Sequence, residues 1–186
     1  MLINNKIVYK SNYKDFGEIS IQSFNLNEDS KTLHDWVNRE YAVFWGMQNT
    51  SFQEVKKQYQ RLIEPEHYKV FVGVYNNEKA FFVECYEPIK DIIKDHYNAK
   101  PSDCGIHIIM APPSKTKIPN FTFYMFQSVV DFVFSNQKID RIIVEPDIRN
   151  LKMFNLCKRI GFKLSKTIQL PNKTAILAFL EKNKHK

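Results

Sequence analysis

The segment Arg141–Phe179, RIIVEPDIRNLKMFNLCKRIGFKLSKTIQLPNKTAILAF, limits the possible folds more than any other part of the chain. It reads as a buried strand, an acidic turn, a capped helix, a glycine stop and a closing strand. Asn150 is a favoured N-cap, and Lys158 and Arg159 suit the negative end of the helix dipole. Gly161 can take the left-handed conformation that ends the helix. A strand that feeds a helix and then a second strand implies a layered α/β domain.

The upstream sequence supplies the rest of such a domain. Residues Glu18–Phe24 alternate as a strand. Asn27–Ser30 offer capping side chains for a short amphipathic helix carrying Leu33, Trp36 and Val37. Ser51-Phe52-Gln53-Glu54 is a capping box, starting a helix to about Ile63 with Phe52, Val55, Tyr59 and Leu62 inward. Lys69–Tyr75 and Lys79–Tyr86 form a hairpin across Asn76-Asn77-Glu78. Gly105–Ala111 is a further strand, stopped by Pro112 and Pro113, and Phe121–Phe134 is a helix packed on a sheet. Ile142–Val144 and Thr174–Leu180 complete the strands. The expectation is one α/β domain over 1–186, with a mixed, mostly antiparallel central sheet flanked by helices. Residues 182–186 are expected to be a flexible basic tail.

With 186 residues and 15 Phe against 5 Gly, the chain can bury a dense aromatic core. Its net charge of +7 favours an anionic partner. That excess is diffuse, so a polyphosphate cofactor accounts for it as well as nucleic acid does, and nucleic acid is only weakly indicated. Cys85, Cys104 and Cys157 have neither disulfide-framework nor metal-ligand spacing, and no metal site is expected. No apolar run approaches the ~20 residues of a membrane span, so a cytoplasmic protein without membrane contact is expected. The sequence leaves monomer and homodimer open.

His107 lies in the apolar run Gly105–Met110, where a polar ring is either a satisfied core group or exposed in a cleft. Asp147 follows the Arg141–Val144 strand. If the two strands are neighbours, the pair face one site, and an imidazole held by a carboxylate can take a proton from an attacking amine. Trp36, Phe44 and Trp45 are candidates to wall an acceptor pocket, and Glu84 and Glu87 to recognise a distal amine.

Asn150 with Gly161-Phe162 resembles the acyl-CoA-binding half of GNAT-superfamily acyltransferases. Three further blocks narrow the likeness to the branch that acylates N6-hydroxylysine, N-hydroxylated diamines and lysine in siderophore biosynthesis: Asp103-Cys104-Gly105-Ile106-His107, Glu145-Pro146-Asp147-Ile148-Arg149-Asn150 and Leu170-Pro171-Asn172-Lys173-Thr174-Ala175. The resemblance extends from about Leu33 to Glu181. It implies a GNAT-like domain whose splayed strands form a cleft for acetyl-CoA or a related acyl-CoA, used as cosubstrate, and direct transfer to a small amine or hydroxylamine acceptor. By the same resemblance His107 is the general base and Asp147 orients substrate. Backbone groups of Ile108, Ile109 and Met110 meet the pantetheine and thioester, with Asn150 and Phe154 alongside.

Two departures stand out. The family often has Tyr four residues before the glycine, as acid to the departing thiolate, and this chain has Cys157 there. The family's glycine-rich phosphate loop corresponds to Lys115-Thr116-Lys117-Ile118-Pro119-Asn120-Phe121, which has no glycine. Lys115 and Lys117 can supply charge in place of the missing backbone cradle, Thr116 lies between them, and Asn120 can cap the following helix. The reading is an acyl-CoA-dependent acyltransferase that makes a hydroxamate. The alternatives are an aminoglycoside or polyamine N-acetyltransferase and a noncatalytic CoA-binding domain.

Overall fold

The computed structural model describes residues 6–114 and 117–184. All eight strands form one sheet. In chain order they are β1 (Ile7–Tyr13), β2 (Gly17–Ser23), β3 (Tyr68–Tyr75), β4 (Glu78–Tyr86), β5 (Asp103–Met110), β6 (Arg141–Val144), β7 (Lys163–Leu170) and β8 (Lys173–Glu181). The four α-helices are α1 (Leu26–Val37), α2 (Phe52–Leu62), α3 (Phe121–Ser135) and α4 (Leu151–Ile160). The spatial order is β1-β2-β3-β4-β5-β6-β8-β7, with β5–β6 the single parallel pair and the rest antiparallel. Among the described residues no helix is long and apolar enough to cross a membrane.

Alternation along each strand assigns the two faces. Phe81 and Val83 of β4 and Ile106 of β5 pack with Met125, Phe126 and Val129 of α3. Phe82 and Ile109 point the other way, against Leu33, Trp36 and Val37 of α1 and Val55 and Tyr59 of α2. Glu84 and His107 lie on this second face, because each is two residues from a member of that core. The β3–β4 turn forms as the sequence predicts, with Asn76 and Asn77 both at positive φ (51° and 62°).

Several boundaries differ from expectation. The α1 cap is Asn25, whose side chain accepts from the Asn27 and Glu28 amides. Asp29, expected among the caps, accepts from the Asn25 amide at 2.7 Å and is also buried and paired with Lys79 at 2.6 Å. The sequence reading did not identify β1 or β7. Both are edge strands, and β7 is exposed at most positions, so neither carries a strong apolar signature. Of the expected tail, 182–186, the last two residues lie outside the described residues, and Lys182–Lys184 form a 3-10 turn. The Lys182 amide donates to Asp140 O, and its ammonium to Asn136 O at 3.1 Å.

The feature that positions the site is the parting of β5 and β6. They pair only over Asp103–Gly105 with Arg141–Ile143. Past Val144 the chain follows β8: Ile176 N–H donates to Pro146 O, and Ile148 N–H to Thr174 O. Ala111 N–H donates to Ala80 O on β4. By the alternation of an antiparallel ladder, Ile108 and Met110 therefore turn their backbone groups to the opened edge.

Gly105 marks the fork. A Cβ there would lie 2.1 Å from the Tyr86 ring, so only a bare Cα lets that ring lie flat on β5. Gly105→Ala should cost about 1–3 kcal/mol, because Tyr86 has to leave its buried position. Urea unfolding measures this, and an unchanged midpoint would show that the ring has room to move.

Candidate active site

The register places Glu84 of β4 directly opposite His107 of β5. Glu145, the first residue past β6, reaches the same ring from the other side. His107 Nδ1 donates to Glu84 Oε2 at 3.0 Å and Nε2 to Glu145 Oε1 at 2.5 Å. The carboxylates have further donors. The hydroxyls of Tyr59 and Tyr68 donate to Glu84, that of Tyr86 donates to Glu145, and Lys173 lies 3.4 Å from Glu145 Oε1. The two glutamate side chains are under a tenth exposed, whereas 36% of the His107 side chain is open. Trp45 stands edge-on to the His107 ring, 6.5 Å between centroids.

This arrangement decides the protonation state. Burial works against a charged ring, but the charge and hydrogen bond of Glu145, then those of Glu84, raise His107 from 6.5 to about 10. Burial likewise opposes ionisation of Glu145, yet the His107 charge outweighs it and lowers that carboxyl to about 2. Burial and the neighbouring carboxylates push the Tyr59, Tyr68 and Tyr86 hydroxyls well above their usual range, so they remain donors. At neutral pH the ring is an imidazolium with both N–H groups committed. Two carboxylates, one imidazolium and one ammonium leave the cluster without net charge.

The expected His107–Asp147 pair does not form. Asp147 instead holds Arg149, Nε at 2.8 Å and Nη2 at 2.7 Å. The Arg149 hydrogen bond is the main reason its carboxyl falls to about 2. Alternation alone would put Glu145 and Asp147, two residues apart, on one face, but past Val144 the chain follows β8, so Asp147 lies ~6–7 Å further along, bridges Ala175 and gives its carboxylate to Arg149. Nor does the ring have a free lone pair to serve as a base in this state. Glu84, expected to greet a distal amine, is an internal anchor, while Glu87 is an exposed partner of Lys90.

Among the expected pocket walls, Trp36 is buried against Phe82 in the core and lines nothing. Phe44 is on the surface, with the Arg149 guanidinium 5.8 Å from its ring centre. Trp45 stands at the cluster. It lies on a 3-10 turn, Glu40–Trp45, whose Tyr41 hydroxyl donates to Met110 O at 2.8 Å. The sequence reading missed Glu145, Tyr41, Tyr59, Tyr68, Tyr86 and Lys173. Glu145 and Lys173 lay within the blocks singled out, and only the point where the chain leaves β5 for β8 separates Glu145 from Asp147.

The surroundings fit an acyl-CoA. The opened edge offers backbone groups of Ile108 and Met110 to an extended amide-bearing chain. Ile109 faces its neighbour β4 instead, and its side chain is in the core, which corrects that expectation. Asn150 caps α4, accepting from the Met153 amide at 3.1 Å, and Phe154 is buried beneath it. Cys157 is fully buried, which pushes its thiol up to about 12 and removes it as an acid.

Lys115 and Thr116 lie outside the described residues. Lys117 is exposed before α3. Asn120 does not cap that helix as expected: it sits at φ 58°, and its Oδ1 accepts from Arg159 Nη2 at 2.8 Å. The first turn of α3 therefore has no side-chain cap, and the Arg159 guanidinium stands 4.1 Å over Phe123 beside it. The positive end of a helix without a side-chain cap, with Arg159 and Lys117 nearby, suits a polyphosphate without a glycine cradle, although the Phe121 amide is bonded to Ile118 O.

Residues 25–170 match the acetyltransferase (GNAT) domain family. Lysine N-acyltransferase MbtK of Mycobacterium tuberculosis is 26% identical over 154 residues, 82% of this chain and 73% of that protein. N-hydroxyputrescine acetyltransferase of Acinetobacter baumannii is 22% identical over 153 residues, 82% of this chain and 72% of that one. Among solved structures, an uncharacterized protein from Bacillus halodurans superimposes with a TM-score of 0.88 at 25% identity, covering 95% of this chain and 91% of that one. The aminoglycoside acetyltransferase AAC(6')-Ib in complex with coenzyme A gives a TM-score of 0.79 at 19% identity, covering 89% and 96%. At that identity the likeness concerns the fold.

The cluster predicts a pH signature. Because the folded pKa of His107 is raised to about 10, its stabilisation is complete below pH 6.5 and is lost as pH climbs towards 10. Glu145, lowered to about 2, adds stability that disappears as pH falls below 4.5. The thermal midpoint should therefore decline from pH 6.5 to 10, and His107→Gln should flatten that decline. Nitrogen NMR of the ring should show both nitrogens protonated at pH 7.5. A ring titrating between pH 6 and 7 would contradict the bridged imidazolium.

Proposed function

We propose that this chain, which belongs to the GNAT acetyltransferase family, acylates the nitrogen of an N-hydroxylated amine or amino acid to form a hydroxamate. Family membership makes it an acyl-CoA N-acyltransferase, and the proposal concerns its acceptor. The observation that carries it is the neutral cluster beside Trp45. Glu84 and Glu145 are both spent on His107, tyrosines and Lys173, and Asp147 on Arg149. A polycationic acceptor such as an aminoglycoside calls for uncompensated carboxylates, and these three are already paired. A hydroxylamine nitrogen is much less basic than an alkylamine, arrives largely neutral at pH 7, and suits such a wall. The N-hydroxyputrescine acetyltransferase relative, at 22% identity, supports the same acceptor chemistry.

When bound, acyl-CoA supplies an acyl group activated as a thioester. Backbone donors at the opened edge of β5 hold and polarise its carbonyl. His107 is not the proton acceptor in this scheme. Its charge fixes Glu84 and Glu145 across the fork, holding β4, β5 and the end of β6 at the spacing that the acceptor and thioester share. The attacking nitrogen becomes strongly acidic once bonded to the acyl carbon, so water at the open side of His107 can take its proton. Dependence on acyl-CoA supports a cytoplasmic reaction. A hydroxamate binds ferric iron, so the product belongs to siderophore assembly.

A thiol-release assay should cross acetyl-, succinyl- and longer acyl-CoA with N6-hydroxylysine, N-hydroxyputrescine, N-hydroxycadaverine, lysine, spermidine and kanamycin. The hydroxylamines should lead in kcat/KM by at least about tenfold, the discrimination expected when a site is matched to one polar group. Kanamycin or spermidine ahead of every hydroxylamine would assign the chain to polyamine chemistry. Stabilisation by acetyl-CoA with no thiol release from any amine would make it a noncatalytic binding domain.

A further inference from the structure

Resting on the reading that acyl-CoA lies along the opened edge of β5, we propose that the Tyr41 hydroxyl protonates the sulfur of the departing CoA. In GNAT-like chains this role often falls to a tyrosine on the last helix, and here that position is Cys157, fully buried in the core. Among the described residues, the other candidate acids of the cluster are occupied. His107 gives both N–H groups to carboxylates, the hydroxyls of Tyr59, Tyr68 and Tyr86 donate to Glu84 or Glu145, and Lys173 is held by Glu145. Tyr41 differs in what it touches and in where it stands. Its hydroxyl donates to a neutral backbone carbonyl, Met110 O, at 2.8 Å. A hydrogen bond to a neutral carbonyl is weaker than one to a carboxylate, so this hydroxyl is the most readily released of the set.

Its place in the fold strengthens the case. Met110 ends β5, and its carbonyl faces the opened edge rather than β4, where Ala111 N–H is already bonded to Ala80 O. The 3-10 turn that carries Tyr41 also carries Trp45, so one short segment spans the end of β5 and the His107 ring. Tyr41 is still 37% exposed, which leaves room for a ligand atom to reach the hydroxyl. Burial of its inner part raises the hydroxyl above its usual range and keeps it protonated.

The step balances without a further reagent. The acceptor nitrogen bonds to the acyl carbon, the C–S bond breaks, and sulfur keeps the bonding pair. Tyr41 passes its proton to sulfur, giving the thiol. The proton lost by the nitrogen returns through water to the tyrosinate, so none is gained or lost overall.

The test is Tyr41→Phe, read by turnover and by binding. Its thermal midpoint without ligand should fall by no more than a few degrees, the cost of about one hydrogen bond to Met110 O, and its affinity for acetyl-CoA should stay within about twofold, because the thioester sulfur carries no charge. With acetyl-CoA and the best hydroxylamine, kcat should fall at least about 10²-fold, the scale of general acid catalysis. At pH 9 the wild type should bind CoA about tenfold more tightly than desulfo-CoA, which has hydrogen in place of the thiol, as a hydrogen bond to a charged sulfur requires. Tyr41→Phe should bind the two alike. Wild-type turnover in Tyr41→Phe would overturn the assignment, and so would an equal loss of affinity for both ligands, which would make Tyr41 a pantetheine contact. A wild-type protein that does not bind acetyl-CoA would instead sink the cleft reading itself.

Discussion

The imidazolium of His107, shared between Glu84 and Glu145, lies where this sheet is weakest. Past Gly105 the β5–β6 ladder stops, and two strands that would otherwise pair have to be held apart at a fixed width. The bridge does this with charge-assisted bonds. Glu84 ties the ring to β4 and Glu145 ties it to the end of β6, while Tyr86, lying flat on Gly105, locks Glu145 from beneath. Tyr59 extends the same network into α2, and its hydroxyl is also bonded by the Trp45 side chain. The spacing of the cleft and the placement of the 3-10 turn over it therefore depend on one set of buried charges. Removing a single member would leave an uncompensated charge under the sheet, which makes such clusters all-or-none.

The sequence announced most of the framework because local chemistry fixes it. The Ser51 capping box, the Asn76-Asn77 turn, the Asn150 cap and the Gly161 stop each depend on contacts within a few residues, and each forms as expected. The edge strands β1 and β7 were illegible for the opposite reason: half-solvated and paired on one side only, they need no strong apolar alternation. The site was half legible. His107 stood out as a polar ring in an apolar run, and the Glu-Pro-Asp block stood out as acidic. Glu145 and Asp147 share a face by alternation, so which carboxylate meets the ring depends on where the chain past Val144 leaves β5 to follow β8, a contact between segments 38 positions apart. No local pattern encodes that point of divergence.

The same bridge bears on what the protein's positive charge is for. The net charge of +7 is not concentrated in the acceptor region, where acid and base cancel. Around the fork Lys173 is balanced by Glu145, and Arg149 by Asp147. At the other end of the cleft the balance differs. Among the described residues Arg159 is held by the neutral Asn120 side chain and the Phe123 ring, with the first turn of α3 and Lys117 beside it. On the proposed reading, charge is neutralised where a weakly basic acceptor would lie and left available where a polyphosphate would lie. A chain selected to hold a polycation would need the reverse distribution. The separation of a neutral wall from a basic end, about the β5 edge that joins them, is what the folded chain adds to a sequence whose excess charge reads as diffuse.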